Sequence, residues 1–474
     1  MKKNIINIKG NKSIRNKSYV LATLMLLAFI MPACRKFVTI ENPPTILTAD
    51  KVFADDKSAT SAILSIYIDM MNDQFGSNGS FVCYSMSQLG GLSANELIMT
   101  GSNTTTPTYQ EFSDHALTPP NSYVAALWKD GYKYIYRANA ILENIATSTG
   151  MTPLGKQQIE GEARFMRGFC YFYLVNLFGD VPLVLGTDYH DNMLLARTPS
   201  SVVWDQVISD LKQAKALLQD AYITAERLRP NRATVSALLS RAYLYTGKWS
   251  EAETEANTII TSGVYGTGLP TLDKVFKKDS PETIWQLQPV RANTNTNEGA
   301  SFLVTGTTQP GFQLTPQLLA AFEPNDNRKT QWVGFSNPAY PAWAFPAKYK
   351  AGAVATVTEY YIMFRLTEQY LIRSEARAHL DLSKLPSAIT DLNVVRSRAG
   401  LPAKTPADQA ALLLAIEQER RVEFFAEWGQ RWLDLKRTNR ASALLTPWKT
   451  GAELYPIPGT EMGNNPALKQ NPGY

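Results

Sequence analysis

Three cysteines and three histidines in 474 residues leave little material for the chemistries that depend on them. Cys34, Cys83 and Cys170 are too few for a disulfide framework. His115, His190 and His379 are far apart, and no His-x-x-x-His or Cys/His spacing offers a zinc site. A Gly-x-Ser-x-Gly elbow, a Gly-rich phosphate loop ending in Lys-Ser/Thr and an Asp-x-Asp-x-Asp-Gly calcium loop are also missing. These absences predict a protein with no catalytic role and no cofactor, and they mark no metal ligands, although scattered Asp and Asn in loops leave Ca²⁺ open. A glycosidase, whose two carboxylates need no local motif, survives as an alternative among 42 acidic residues. The run 19–31 is uncharged and mostly apolar, yet too short to span a bilayer.

That run follows Lys2, Lys3, Lys9, Lys12, Arg15 and Lys17 with no acid between them, and it leads into Met31-Pro32-Ala33-Cys34. The pattern is that of an export signal. A small residue before cysteine at its end is similar to the lipobox of a bacterial lipoprotein, which implies that Cys34 is lipidated and begins the mature chain. Acyl chains contribute about 0.8 kcal/mol per buried CH₂, so two or three would hold a soluble body on a membrane. The expected organisation is a signal over 1–33, a tether over 34–50 and one domain over 51–474. Removing the signal leaves 41 basic against 42 acidic residues, a formal net charge of about −1. Without a clustered basic face, nucleic acid is excluded as a partner.

Apolar steps of three and four predict helices over 50–71, 121–145, 161–178, 202–218, 232–245 and 250–260. Ala237, Ala242, Tyr243, Gly247, Lys248, Trp249 and Ala252 reproduce the small, aromatic, Gly, aromatic, Ala order of a tetratricopeptide helix pair. The layout recurs over 366–380 and 387–399. Two stretches, about 75–118 and 263–354, are rich in Gly, Ser, Thr, Asn and Pro and read as irregular insertions with a few short strands. They hold many aromatics, and binding sites concentrate on such loops. The fold class is therefore mainly α, a tetratricopeptide-like scaffold with long loop insertions.

Four segments in order resemble the SusD-like (RagB/SusD) nutrient-uptake lipoproteins of Bacteroidetes. The first is Glu162-Ala163-Arg164-Phe165-Met166-Arg167-Gly168-Phe169 running to the corner Phe178-Gly179-Asp180-Val181-Pro182. Next come Arg365-Leu366-Thr367-Glu368 with Arg396-Ser397-Arg398-Ala399-Gly400-Leu401, then Glu419-Arg420-Arg421-Val422-Glu423-Phe424 with Arg431-Trp432-Leu433-Asp434. Tyr455-Pro456-Ile457-Pro458 and Gln470-Asn471-Pro472-Gly473-Tyr474 close the set. All four also have scaffold readings: Gly179 and Pro182 stop a helix, and the acids and arginines of 417–437 can pair across helix turns beside a stripe of Phe424, Phe425, Trp428 and Trp432. Glu419, Glu423 and Asp434 are accordingly scaffold residues.

The resemblance implies an outer-membrane, surface-facing protein that captures an oligosaccharide and passes it to a SusC-type TonB-dependent transporter, breaking no bond. A tetratricopeptide-type protein-interaction lipoprotein is the other non-enzymatic reading. Sugar rings need flat aromatic platforms beside polar groups. Tyr84, Asn95, Tyr109, Trp332, Tyr340 and Trp343 are the expected ligand residues. Within Ala94-Asn95-Glu96-Leu97, Asn95 stands where the family commonly carries Asp. Trp332 and Trp343 lead the set because Gln331, Asn337 and Pro341 suggest exposed turns.

Overall fold

Helices dominate, and several begin where a side chain satisfies the free amides of a first turn, as Asp55, Asn121, Thr152, Asn231 and Asp408 do. The computed structural model describes residues 49–72, 82, 84–100, 106–337, 339–340, 343–352 and 354–474; Cys34, the signal, nearly all of the tether and Cys83 lie outside them. In chain order the main elements are α1 (Asp56–Met71), α2 (Ser85–Ser93), β1 (Leu97–Met99), α3 (Thr106–Ser113), α4 (Ser122–Thr147), α5 (Pro153–Phe178), α6 (Ser200–Leu217), α7 (Arg232–Tyr245) and α8 (Trp249–Thr261). An insertion carries β2 (Thr283–Leu287), β3 (Phe312–Leu314), β4 (Val333–Phe335), β5 (Ala344–Pro346) and β6 (Tyr361–Arg365). Then follow α9 (Leu366–Leu380), α10 (Leu385–Arg398), α11 (Gln409–Phe424) and α12 (Gln430–Arg437).

From α4 to α10 each helix packs on its neighbour in sequence, the repeating helix-pair geometry that the sequence predicts. After α8 the chain leaves for about a hundred residues and returns so that α9 lies against α8. The helix expected from 161 starts at Pro153, because the Thr152 hydroxyl accepts from the Gly155 amide at 3.0 Å and proline suits the first turn. It ends at Gly179, whose φ is +72°. Along α5, Phe165 and Phe169 meet Trp285 of β2 edge-on at ring distances of 5.1 and 6.0 Å, which seats the antiparallel β2–β6 ribbon on the scaffold. Cys170 is fully buried there, a core thiol as expected.

The first insertion departs from its irregular reading. Ser85-Met86-Ser87-Gln88-Leu89-Gly90-Gly91-Leu92-Ser93 is a helix, α2, buried along its whole length. Its glycines are there for packing: an ideal Cβ on Gly90 would stand 2.4 Å from the Cα of Gly429, just before α12. Gly90→Ala is therefore expected to destabilise the fold by about 1–3 kcal/mol, whereas Gly268→Ala, with open space around it, shifts the unfolding midpoint hardly at all. Urea denaturation of the two variants checks this.

Charged groups hold the second insertion to the scaffold. Arg328, with no solvent exposure, donates to Asp326 at 2.8 Å, Glu419 at 2.6 Å and Glu423 at 3.0 Å. Arg365 at the end of β6 reaches Glu423 at 2.6 Å, and Arg398 of α10 pairs with the same carboxylate. Glu323 pairs with Arg396 at 2.7 Å. The acids and arginines of α11 and α12 thus correct the expectation of pairing across helix turns. Arg437 with Asp434 at 2.8 Å is such a pair, but Arg420 with Asp434, Arg431 with Glu417 and Arg437 with Glu375 join different helices. Phe424, Phe425, Trp428 and Trp432 are all buried as expected, but not along one helix: α11 stops at Phe424, and Ala426, Trp428 and Gly429 all take positive φ in the turn before α12.

Candidate functional site

The β4–β5 hairpin carries the most exposed aromatic pair in the expected set. Val333 pairs with Pro346, Gly334 with Phe345 and Phe335 with Ala344, and the connection is held by turn hydrogen bonds. The Asn337 side-chain oxygen accepts from Ala339 N–H at 2.9 Å, its carbonyl accepts from Tyr340 N–H at 3.0 Å, and the Tyr340 carbonyl accepts from Trp343 N–H at 2.9 Å. These bonds bring the rings of Tyr340 and Trp343 face to face, 4.5 Å between centroids and 16° from parallel. Tyr340 is 52% exposed and Phe335, at the end of β4, is 49% exposed. An apolar surface open to water at a loop tip needs a reason, because it gains nothing for the core.

Trp332 lies on the other side of that boundary. It is 1% exposed, its indole N–H donates to the Leu272 carbonyl at 3.1 Å, and Lys348 and Arg398 stand over its ring at 5.0 and 5.6 Å. It packs against Phe276 as core, which corrects the expectation of an exposed platform at this position. Tyr84 and Tyr109 are also buried, Tyr109 lying 4.4 Å from Tyr123 and edge-on to Phe312 at 5.4 Å. Most aromatics of the second insertion, Trp285, Phe302, Phe312, Phe345 and Tyr349 among them, are core for the same reason: short strands on helices still need a hydrophobic interior.

Asn95 opens onto a cavity of about 460 Å³. Its φ of +51° is one that asparagine tolerates, its side-chain amide donates to the Thr446 carbonyl at 3.0 Å, and its own carbonyl accepts from Thr315. Gln110, Asp114, Gln317, Arg421 and Arg431 line the same space. Beside it Glu96 is 2% exposed, and its Oε1 has no hydrogen-bond partner and lies 3.8 Å from Arg421 Nε. Burial, only partly offset by Arg421 and Arg431, pushes the Glu96 carboxyl up to about 7. The two arginines escaped the sequence reading because they lie some 330 residues from Asn95 in a segment whose charges already have a scaffold explanation. His115, next to this region, has its two ring nitrogens 2.6 and 2.7 Å from the carbonyls of Pro447 and Ser93, a structural placement. Among the described residues, no group of three or more His, Cys, Asp or Glu side chains is placed to hold a metal ion.

Residues 66–244 match the family described as starch-binding and associating with the outer membrane, and residues 321–451 match the SusD family. The chain belongs to the SusD-like family. SusD-like protein P2 of Formosa agariphila is 25% identical over 95% of this chain and 99% of its own. A SusD superfamily protein of Bacteroides vulgatus shares the fold with a TM-score of 0.77 at 20% identity, covering 89% of this chain and 99% of that one. Surface glycan-binding protein A of Bacteroides uniformis does so with a TM-score of 0.75 at 21% identity, over 88% and 99%. The helical scaffold with loop insertions is thus the SusD-like fold. Among the described residues, no helix is long and apolar enough to cross a membrane.

Proposed function

We propose that this SusD-like protein is a non-catalytic, surface-exposed glycan-binding lipoprotein of the outer membrane. It is tethered through Cys34, captures an oligosaccharide and delivers it to a SusC-type TonB-dependent transporter. The stacked pair of exposed Tyr340 and partly exposed Trp343 carries the reading. Sugar rings present C–H faces to aromatic planes and hydroxyls to amides and charged groups, and the half-exposed Tyr340 ring with Trp343 stacked on it offers such a plane at the hairpin. The Asn95 cavity, which shares no lining residue with the hairpin, carries amide, carboxylate and guanidinium groups of the kind that bind sugar hydroxyls. Kinship supports the assignment: one matched family is described as starch-binding, and a structural neighbour bears the name of a surface glycan-binding protein.

The test is an oligosaccharide array followed by calorimetry with the best binder. Tyr340→Ala/Trp343→Ala is expected to weaken that ligand by about tenfold or more while the thermal midpoint stays put, because neither ring serves the core. Unchanged affinity would remove the hairpin from the site. Release of reducing ends from the bound glycan by the purified protein would instead point to the glycosidase.

A further inference from the structure

A second cavity, of about 690 Å³, opens on the helical scaffold and shares no lining residue with the cavity at Asn95. Its walls include Trp204 of α6, Tyr245 at the end of α7 and Trp448, each partly exposed, together with Asn439, Ser442 and Glu453. Lys436, in the last turn of α12, lines it too.

Among the described residues Lys436 has no ion-pair partner, the carboxylate of Glu453 on the same cavity wall lying beyond ion-pair distance. The Lys436 Nζ donates to the Asn176 carbonyl and lies 5.4 Å from the centre of the Trp432 ring. The adjacent Arg437 is paired with both Glu375 and Asp434. A desolvated ammonium served by one carbonyl and one ring is poorly compensated. Burial, against the weak pull of Glu453, accordingly lowers the amine to about 7. An anion entering the cavity would restore the missing charge, and the three aromatic walls suit a ring with apolar faces while Asn439 and Ser442 suit its hydroxyl edge.

We propose that this cavity is a second ligand site, which takes a monosaccharide-sized sugar acid whose carboxylate pairs with Lys436 and whose ring packs on the aromatic walls. The site is independent of the hairpin, so its fate and that of the glycan reading can be separated. D-glucuronate is titrated into the whole mature chain, followed by calorimetry and tryptophan fluorescence. Saturable binding is expected, weakened about tenfold or more in Lys436→Met and with D-glucose as ligand, and unchanged in Tyr340→Ala/Trp343→Ala. Equal binding by glucose or by the folded Lys436→Met variant would overturn the proposal, as would no saturation by about 50 mM glucuronate. Should Lys436→Met fail to fold, the wild-type protein still decides. Glucuronate is expected to slow acetylation of Lys436 by a limiting active ester, read by peptide mass spectrometry, and an unchanged rate refutes the site.

Discussion

Replacing Glu423 by alanine is expected to lower the free energy of unfolding by about 3–5 kcal/mol, the cost of stranding buried cations whose partner has been removed. Its carboxylate has no solvent exposure and serves Arg328, Arg365 and Arg398 at once. Burial alone would raise its protonation range, but Arg398, Arg365 and Arg328 outweigh burial and hold the carboxyl far below the usual carboxylate range. A group depressed in this way stabilises the fold above the unfolded value, 4.5, and its contribution is lost as pH falls below it. Urea midpoints at pH 7 and pH 4 measure both effects. Glu423→Ala should be much weaker at pH 7 and lose less than the wild type on acidification. A variant within about 1 kcal/mol of wild type at pH 7 would show that the network contributes little.

Glu298→Gln should change stability in the opposite direction and in a different window. Glu298 is 3% exposed, its Oε2 has no hydrogen-bond partner and its Oε1 accepts a long bond, 3.3 Å, from Ser87. Burial pushes the carboxyl up to about 8, with Tyr361 and Ser87 pulling weakly the other way. The folded state therefore keeps a proton that the unfolded chain releases near 4.5, and stability falls as pH rises from there to about 8. The penalty at the top of that window has an upper limit on the order of 5 kcal/mol. Glutamine cannot titrate, so the variant should gain stability relative to wild type between pH 5 and pH 8.5. Glu96, pushed up to about 7 by burial, adds a loss in the same direction over a narrower pH window. Parallel pH profiles for variant and wild type would rule out Glu298 as the source.

Local patterns made the helical scaffold legible. The aromatic and small-residue order around Gly247, the capping residues and the helix-ending Gly179 act through neighbours a few positions away, and such signals survive in one dimension. The insertions were less legible because their logic is long-range. The helix at 85–93 reads as a loop until Gly429 is placed against Gly90, since glycine lowers helix propensity but permits close approach. Trp332 and Trp343 sit in similarly polar, turn-rich sequence, yet one is core and the other lies against exposed Tyr340 at a hairpin tip. Composition cannot separate them, because burial depends on what the rest of the chain brings overhead.

Readable from the amino-acid string alone are the helical frame, the near-neutral charge of the chain beyond residue 33, the absence of recognisable catalytic motifs and the ordered motifs that mark kinship. Each rests on residue type and spacing along the chain. Side chains meeting in three dimensions settled which aromatics face water, which arginines stand beside Asn95, which carboxylates are spoken for and that, among the described residues, none forms an ion pair with Lys436. Those depend on side chains tens to hundreds of residues apart meeting in space, where burial sets the cost of every unpaired charge.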